Sequence, residues 1–163
     1  AYELTKDVPL PDTPGMAAQR KKFPSFPNAQ RPPFVLKGDT LSSETFWHGK
    51  LLNTWANEWV KYHTDGRGNY VTTAMEDTGT LQSLTWLARA GRVDGRRVLV
   101  LRTASDFDQQ ADGLTAAESL FGDKVNTYVA LVPALESAYR VGSTVVHELV
   151  ANWPRYEQAV PQK

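Results

Sequence analysis

The chain has 163 residues, 18 basic and 18 acidic side chains, and no cysteine. That length suits one domain able to bury a sizeable core, and the absent thiols exclude disulfides, thiol catalysis and thiolate metal sites. A net charge of zero argues against nucleic acid as partner. The most apolar run, Tyr128 to Leu135, spans eight residues and contains a proline, well short of the roughly 20 apolar residues of a membrane span. Starting at Ala1 rather than methionine, the chain is expected to be a processed product, a fragment or a trimmed piece.

Ala1 to Val8 opens with a β-compatible piece at Tyr2, Leu4 and Thr5. Residues 9–33 form a proline-rich arm with seven prolines, spread too evenly for a long helix or a central strand. Within it, Met16 to Lys22 predicts two helical turns, and the remainder reads as an extended arm that wraps or links something. Pro33 to Lys37 (PFVLK) predicts a short strand stopped by Gly38-Asp39, with Ser42 or Ser43 capping the helix beyond it. Leu51, Leu52, Trp55, Ala56, Trp59 and Val60 recur at helical spacing and predict that helix over 51–62. A turn at Asp65–Asn69 leads into a strand at Tyr70–Thr73.

Next comes a helix with Leu81, Leu84, Leu87 and Ala88 on one face and Gly91 at its C-cap. Val98 to Leu101, four consecutive apolar residues, predicts a strand covered on both faces. Thr115 and Glu118 form a capping box for a short helix closed near Gly122. Tyr128 to Leu131 predicts a further strand. A last helix over about 134–153 carries the stripe Leu135, Ala138/Tyr139, Gly142, Val145/Val146, Leu149 and Trp153, with Gly142 implying close approach to another backbone. Three or four mostly parallel strands make a thin sheet, and buried parallel strands need neighbours. The expected fold class is therefore α/β, with the other strands lying elsewhere.

Residues 71–106 read as strand, helix and strand. A right-handed unit of this kind sends Glu76 and Asp106 to the carboxyl edge of one sheet, where open α/β sheets bind ligands. Glu76 there can accept two hydrogen bonds from a ribose diol. Asp106 is either a turn-former or, beside a dry sheet edge with Asp108 nearby, an acid for a leaving group. Asp77 reads as an N-cap or first-turn acid. His63 and His147 have helical positions, whereas His48 adjoins Phe46 and Trp47, aromatics that suit a core. The three histidines form no metal-ligand pattern, no Ser–His–Asp order stands out, and no phosphate-cradling glycine loop is present.

Six segments carry a resemblance: LKGDTLS at 36–42, ETFWHGKLLN at 44–53, AMEDTGTLQSL at 74–84, VLRTASDFD at 100–108, GLTAAESL and AYRVGS. In this order they resemble the purine nucleoside permease family, over nearly the whole chain outside the proline-rich arm. That family looks related to the nucleoside phosphorylase superfamily. The resemblance implies a three-layer α/β/α sandwich, with residues 1–163 as the C-terminal half of one domain and part of its central sheet. It implies that Met75 packs on the sugar, Glu76 holds the ribose hydroxyls, and Ser105-Asp106 meets the purine N7. Gly38, Asp39 and Leu41 match the loop that carries a base-stacking aromatic. Leu41 stands in that aromatic's place, so stacking falls to Phe46, Trp47 or Phe107, with His48 beside them. Ala74 replaces an acid often found before the Met-Glu pair.

The implied function is purine nucleoside binding with cleavage of the N-glycosidic bond by phosphate or water, without a cofactor. The alternative is a non-catalytic carrier for nucleoside uptake, and a third class is an interaction module on an inactive enzyme fold. The implied partners are the nucleoside and a second polypeptide bearing the N-terminal half of the fold, with a homo-oligomer left open. The implied location is periplasmic or secreted.

Overall fold

The computed structural model describes residues 1–125 and 129–159. Its sheet has two parallel strands, β1 (Asp39–Ser42) and β2 (Tyr70–Ala74), paired from Asp39 opposite Tyr70 to Ser42 opposite Ala74. A register irregularity lies between Asp39 and Thr40, after which the Thr40 and Thr72 hydroxyls meet at 2.7 Å across the ladder. Around the strands lie the helices α1 (Tyr2–Thr5), α2 (Pro14–Arg20), α3 (Lys50–His63), α4 (Asp77–Arg89), α5 (Ala116–Val125), α6 (Leu131–Ala151) and α7 (Trp153–Glu157), with a 3₁₀ turn at Pro27–Gln30. This is a mixed helix and parallel-strand arrangement compatible with α/β.

Several elements follow from local chemistry. The two turns expected over Met16–Lys22 start earlier, at Pro14, because Thr13 caps α2 by accepting from Met16 N at 3.2 Å, with Pro14 in the first turn, where a missing N–H costs nothing. The helix predicted over 51–62 is α3. It ends at His63, before a turn in which Asp65 and Gly66 have φ of 51° and 76°. At the end of α4, Gly91 takes a φ of 67°, and the amides of Gly91 and Arg92 donate to the carbonyls of Ala88 and Leu87. That pairing is a Schellman close. The capping box is reciprocal: Thr115 N donates to Glu118 Oε2 at 2.8 Å and Glu118 N to Thr115 Oγ1 at 3.2 Å.

Other expectations are corrected. Tyr2–Thr5 is a helical turn rather than a strand. It packs against α6, and the Thr5 hydroxyl donates back to Ala1 O at 2.8 Å. PFVLK forms no strand among the described residues; the ladder begins at Asp39, where Gly38-Asp39 was expected to stop one. Pairing with the second strand starts there, with Asp39 N donating to Asn69 O at 2.7 Å. Neither Ser42 nor Ser43 caps α3. Its N-cap is Gly49, and Lys50 N is satisfied from a distance by Gln110 Oε1 at 2.8 Å. Ser42 serves α4 instead, accepting from Thr78 N at 3.2 Å. Helix α5 runs past Gly122 to Val125.

Tyr128 lies outside the described residues; Val129 and Ala130 form a turn and Leu131 opens α6, so no strand is seen at 129–131. The α6 helix stops at Ala151, because Pro154 falls in the first turn of α7 and could not donate within a longer helix. Its buried residues are Pro133, Ala134, Ser137 and Val141, whereas Leu135 and Tyr139 of the expected stripe are exposed. Gly142 approaches the Leu101 side chain, not another backbone: a Cβ there would lie 3.5 Å from Leu101 Cδ2.

The core is small, comprising Phe23, Trp47, Ala56, Val60, Ala111, Ala134 and Val141. Val98–Leu101 forms no strand and is not covered. The two acids of residues 71–106 therefore do not leave one sheet, since only Glu76 follows a paired strand. Gly38 is needed for close approach: an added Cβ would sit 2.2 Å from Val71 Cγ2 and 2.8 Å from its Cβ. Valine is stiff about χ1 and cannot swing away. Gly38→Ala is accordingly expected to destabilise the protein by about 1–3 kcal/mol. Denaturant unfolding checks this, and an unchanged midpoint would refute the close packing.

Candidate functional site

The carboxyl end of β2 delivers Met75 and Glu76 directly into the first turn of α4. Met75 is 45% exposed. Helix α4 has no side-chain cap of its own, and its first acid, Asp77, lies where the helix dipole favours negative charge. A guanidinium from another segment gathers these groups. Arg102 Nε donates to Asp77 Oδ2 at 2.9 Å, Nη2 reaches Asp77 Oδ1, and Nη1 faces Glu76 Oε2 at 3.4 Å. Asp77 is the closer partner, and its hydrogen bonds are the main cause that raises the Arg102 pKa above its usual value. The Glu76 side chain stays 72% exposed, so Arg102 orients it without enclosing it.

Ser105 and Asp106 follow Arg102 by three and four residues, in a bend. Ser105 is half-buried and Asp106 exposed; Asp106 Oδ1 accepts from Phe107 N at 2.7 Å, as a turn-former does. The loop beyond is pinned from three directions. Phe107 packs on the buried Phe23 of the proline-rich arm, with ring centroids 4.3 Å apart. Asp112 Oδ2 accepts from Ser25 N at 2.8 Å, and Asp112 N donates to Lys22 O at 3.1 Å. The wrapping arm thus has an object, the loop that follows Asp106.

The third anchor is Asp108. Its carboxylate accepts from Asn53 Nδ2 at 2.8 Å on both oxygens and from the Tyr70 hydroxyl, while its carbonyl accepts from Gly49 N at 2.9 Å. Asn57 Nδ2 donates in turn to Asn53 Oδ1 at 3.2 Å. The loop is fastened to α3 and β2 together. Burial first, and then the hydrogen bond donated to Asp108, raise the Tyr70 pKa far above its ordinary value, with a small opposing influence from Trp47. Asp108 is therefore spent on holding structure.

A groove of about 370 Å³ runs from Gly38 and Asp39 past Thr40 and Ser42 to Asp77 and Thr78. Asp39 and Leu41 lie within β1 rather than in a loop, and Asp39 Oδ2 accepts from Asn69 N at 2.6 Å. Of the aromatics, Trp47 is core and sits edge-on to Trp55 at 5.9 Å, Phe107 is engaged by Phe23, and Phe46 is 59% exposed. Trp47 Nε1 and His48 Nε2 are buried without a hydrogen-bond partner among the described residues. Those residues include no cluster that could hold a metal ion. No helix among them is long and apolar enough to cross a membrane.

Sequence reasoning missed Arg102, Tyr70, Asn53 and Phe23. Arg102 had a signal, as the basic residue that closes the apolar run just ahead of Ser105-Asp106. The other three carried none, because their partners are distant along the chain.

The arrangement is that of a mixed α/β chain with carboxylates gathered by one arginine beyond a strand end. The purine nucleoside permease family model matches residues 1–161, and the chain belongs to that family. A probable purine nucleoside permease of Schizosaccharomyces pombe is 31% identical over 153 residues, covering 94% of this chain and 43% of that protein. A purine nucleoside permease of Candida albicans is 34% identical over 156 residues, covering 95% of this chain and 37% of that protein. The chain thus spans about two-fifths of the length of these relatives. No solved structure matches it.

Proposed function

We propose that this chain supplies the sugar- and base-recognising side of a purine nucleoside site, and that the complete protein cleaves the N-glycosidic bond there. The observation that carries the reading is Arg102, which ties the turn bearing Met75 and Glu76 to the segment leading into Ser105 and Asp106. In this reading Glu76 accepts hydrogen bonds from the ribose diol and Met75 packs on the sugar. Phe46, the exposed aromatic, stacks on the base, and the groove from Gly38 and Asp39 leads to the site. Phosphate or water bonds to the anomeric carbon as the bond from that carbon to the purine breaks. The bonding pair leaves on the purine, and Asp106, supported by Ser105, donates a hydrogen bond or proton at N7. The groups that hold the nucleophile belong to the part of the family's length outside this chain.

A carrier that captures nucleosides for uptake is the second reading, favoured by the permease names of the relatives. Incubating the full-length protein with inosine or adenosine, with and without phosphate, separates them. Free base formed only with phosphate means phosphorolysis, and base formed in both means hydrolysis. Saturable binding without base means a carrier. Neither binding nor turnover overturns both readings.

Glu76→Ala is expected to weaken nucleoside binding about 10–100-fold, the worth of hydrogen bonds to a charged acceptor. A 2′,3′-dideoxynucleoside should bind the variant and the parent alike. An equal loss with both ligands would remove Glu76 from the diol.

A further inference from the structure

The run Val98–Leu101 is apolar at every position, belongs to no helix or strand, and is left open. Its residues are 38%, 63%, 47% and 43% exposed in order. Among the described residues, 98–104 make no backbone hydrogen bond at all. Arg97 anchors the run at one end by donating to the Tyr156 and Glu157 carbonyls at 2.7 Å each. At the other, Arg102 binds Asp77. Held at both ends, the run borders a groove of about 480 Å³ whose far wall is Leu81 and Leu84 of α4. Leu101 backs onto Gly142, where an added Cβ would lie 3.5 Å from Leu101 Cδ2.

The whole molecule has the same defect. A folded monomer of 18.2 kDa exposes about 8,100 Å² by the usual scaling of area with mass, whereas this chain exposes 11707 Å². The excess of about 3,600 Å² on this one chain is well above the roughly 800 Å² per partner of a standard interface, as for obligate contacts. Unpaired peptide groups beside exposed apolar side chains are a ready template for another strand.

We propose that Val98–Leu101, with the groove beside Leu81 and Leu84, is the docking surface for the part of the family's fold that this chain does not span. That part enters as a β-strand paired along residues 98–101. The occupant follows from length, since the relatives continue well beyond the portion matched here. A second copy of this chain pairing edge to edge would satisfy the backbone but leave both apolar faces bare. The inference shares with the proposed function only the premise of a missing portion, and it does not depend on nucleoside chemistry.

The test is amide hydrogen exchange on the native protein, purified without denaturant and read by mass spectrometry. The peptide covering 98–104 should exchange at least about a hundredfold more slowly than an unstructured chain. In the full-length protein, Leu99→Asp with Val100→Asp should bring exchange across 98–104 close to unstructured rates. Lys61→Asp, on an exposed position of α3, should leave it slow. Exchange at unstructured rates across 98–104 in the native protein would overturn the proposal. So would a native assembly whose intact mass shows two copies of this chain and nothing else. None of these readouts changes if the nucleoside reading fails.

Discussion

Asp106→Asn is expected to lower the proposed nucleoside cleavage by the full-length protein by about 10²–10⁴-fold, the contribution of one positioned general acid. Asparagine keeps the oxygen that accepts from Phe107 N, so the bend and the loop behind it persist. What it cannot supply is a proton to the leaving purine. The loss therefore falls on kcat, with nucleoside affinity changed by less than about threefold. A substrate whose base leaves readily, such as a 7-methylated purine nucleoside already carrying positive charge, should recover most of the rate. Full activity of Asp106→Asn on inosine and adenosine would remove Asp106 from the chemistry. An equal loss on the 7-methylated substrate would assign it to binding instead.

Local rules carried the reading wherever the relevant partner is close in sequence. The Thr115–Glu118 box, the Gly91 close and the period of α3 each depend on residues within one or two turns, and each is present. Where the partner is remote, local pattern misled. Ser42 has the chemistry of a cap, yet the helix it serves begins after β2 rather than just ahead of it. Val98–Leu101 has the composition of a buried strand, but composition records the environment a segment needs and not whether this chain provides it. PFVLK is a similar case, an apolar run that forms no strand among the described residues. The candidate site divides along the same line. Glu76 and Asp106 stand out by position, while Arg102, which links their segments, becomes evident only when residues 76 and 102 are brought together.

Asp108→Ala carries the largest expected stability change in the site. Asp108 accepts from Asn53 and Tyr70, two partly buried donors from different elements. Truncation leaves both unpaired, at about 1–3 kcal/mol each, for a total near 2–6 kcal/mol in denaturant unfolding of the full-length protein. Asn53→Ala and Tyr70→Phe should each cost less, because each removes one donor and leaves the carboxylate its other partner. A double-mutant cycle between 53 and 108 should return a coupling of about 0.5–3 kcal/mol. The pH dependence has a definite sign. The Tyr70 pKa is raised above the usual 10.0, so the stability it contributes is fully present below about pH 10 and is lost only as pH rises through the higher folded value. In ultraviolet titration Tyr70 should therefore ionise after the other tyrosines, and in Asp108→Asn it should ionise earlier, retaining only the part of its shift that burial supplies. Tyr70 titrating together with the exposed tyrosines in the parent protein would show that the network is not closed. An Asp108→Ala protein within about 0.5 kcal/mol of the parent would show that the loop bearing Asp106 is held by Phe23 and Ser25 alone.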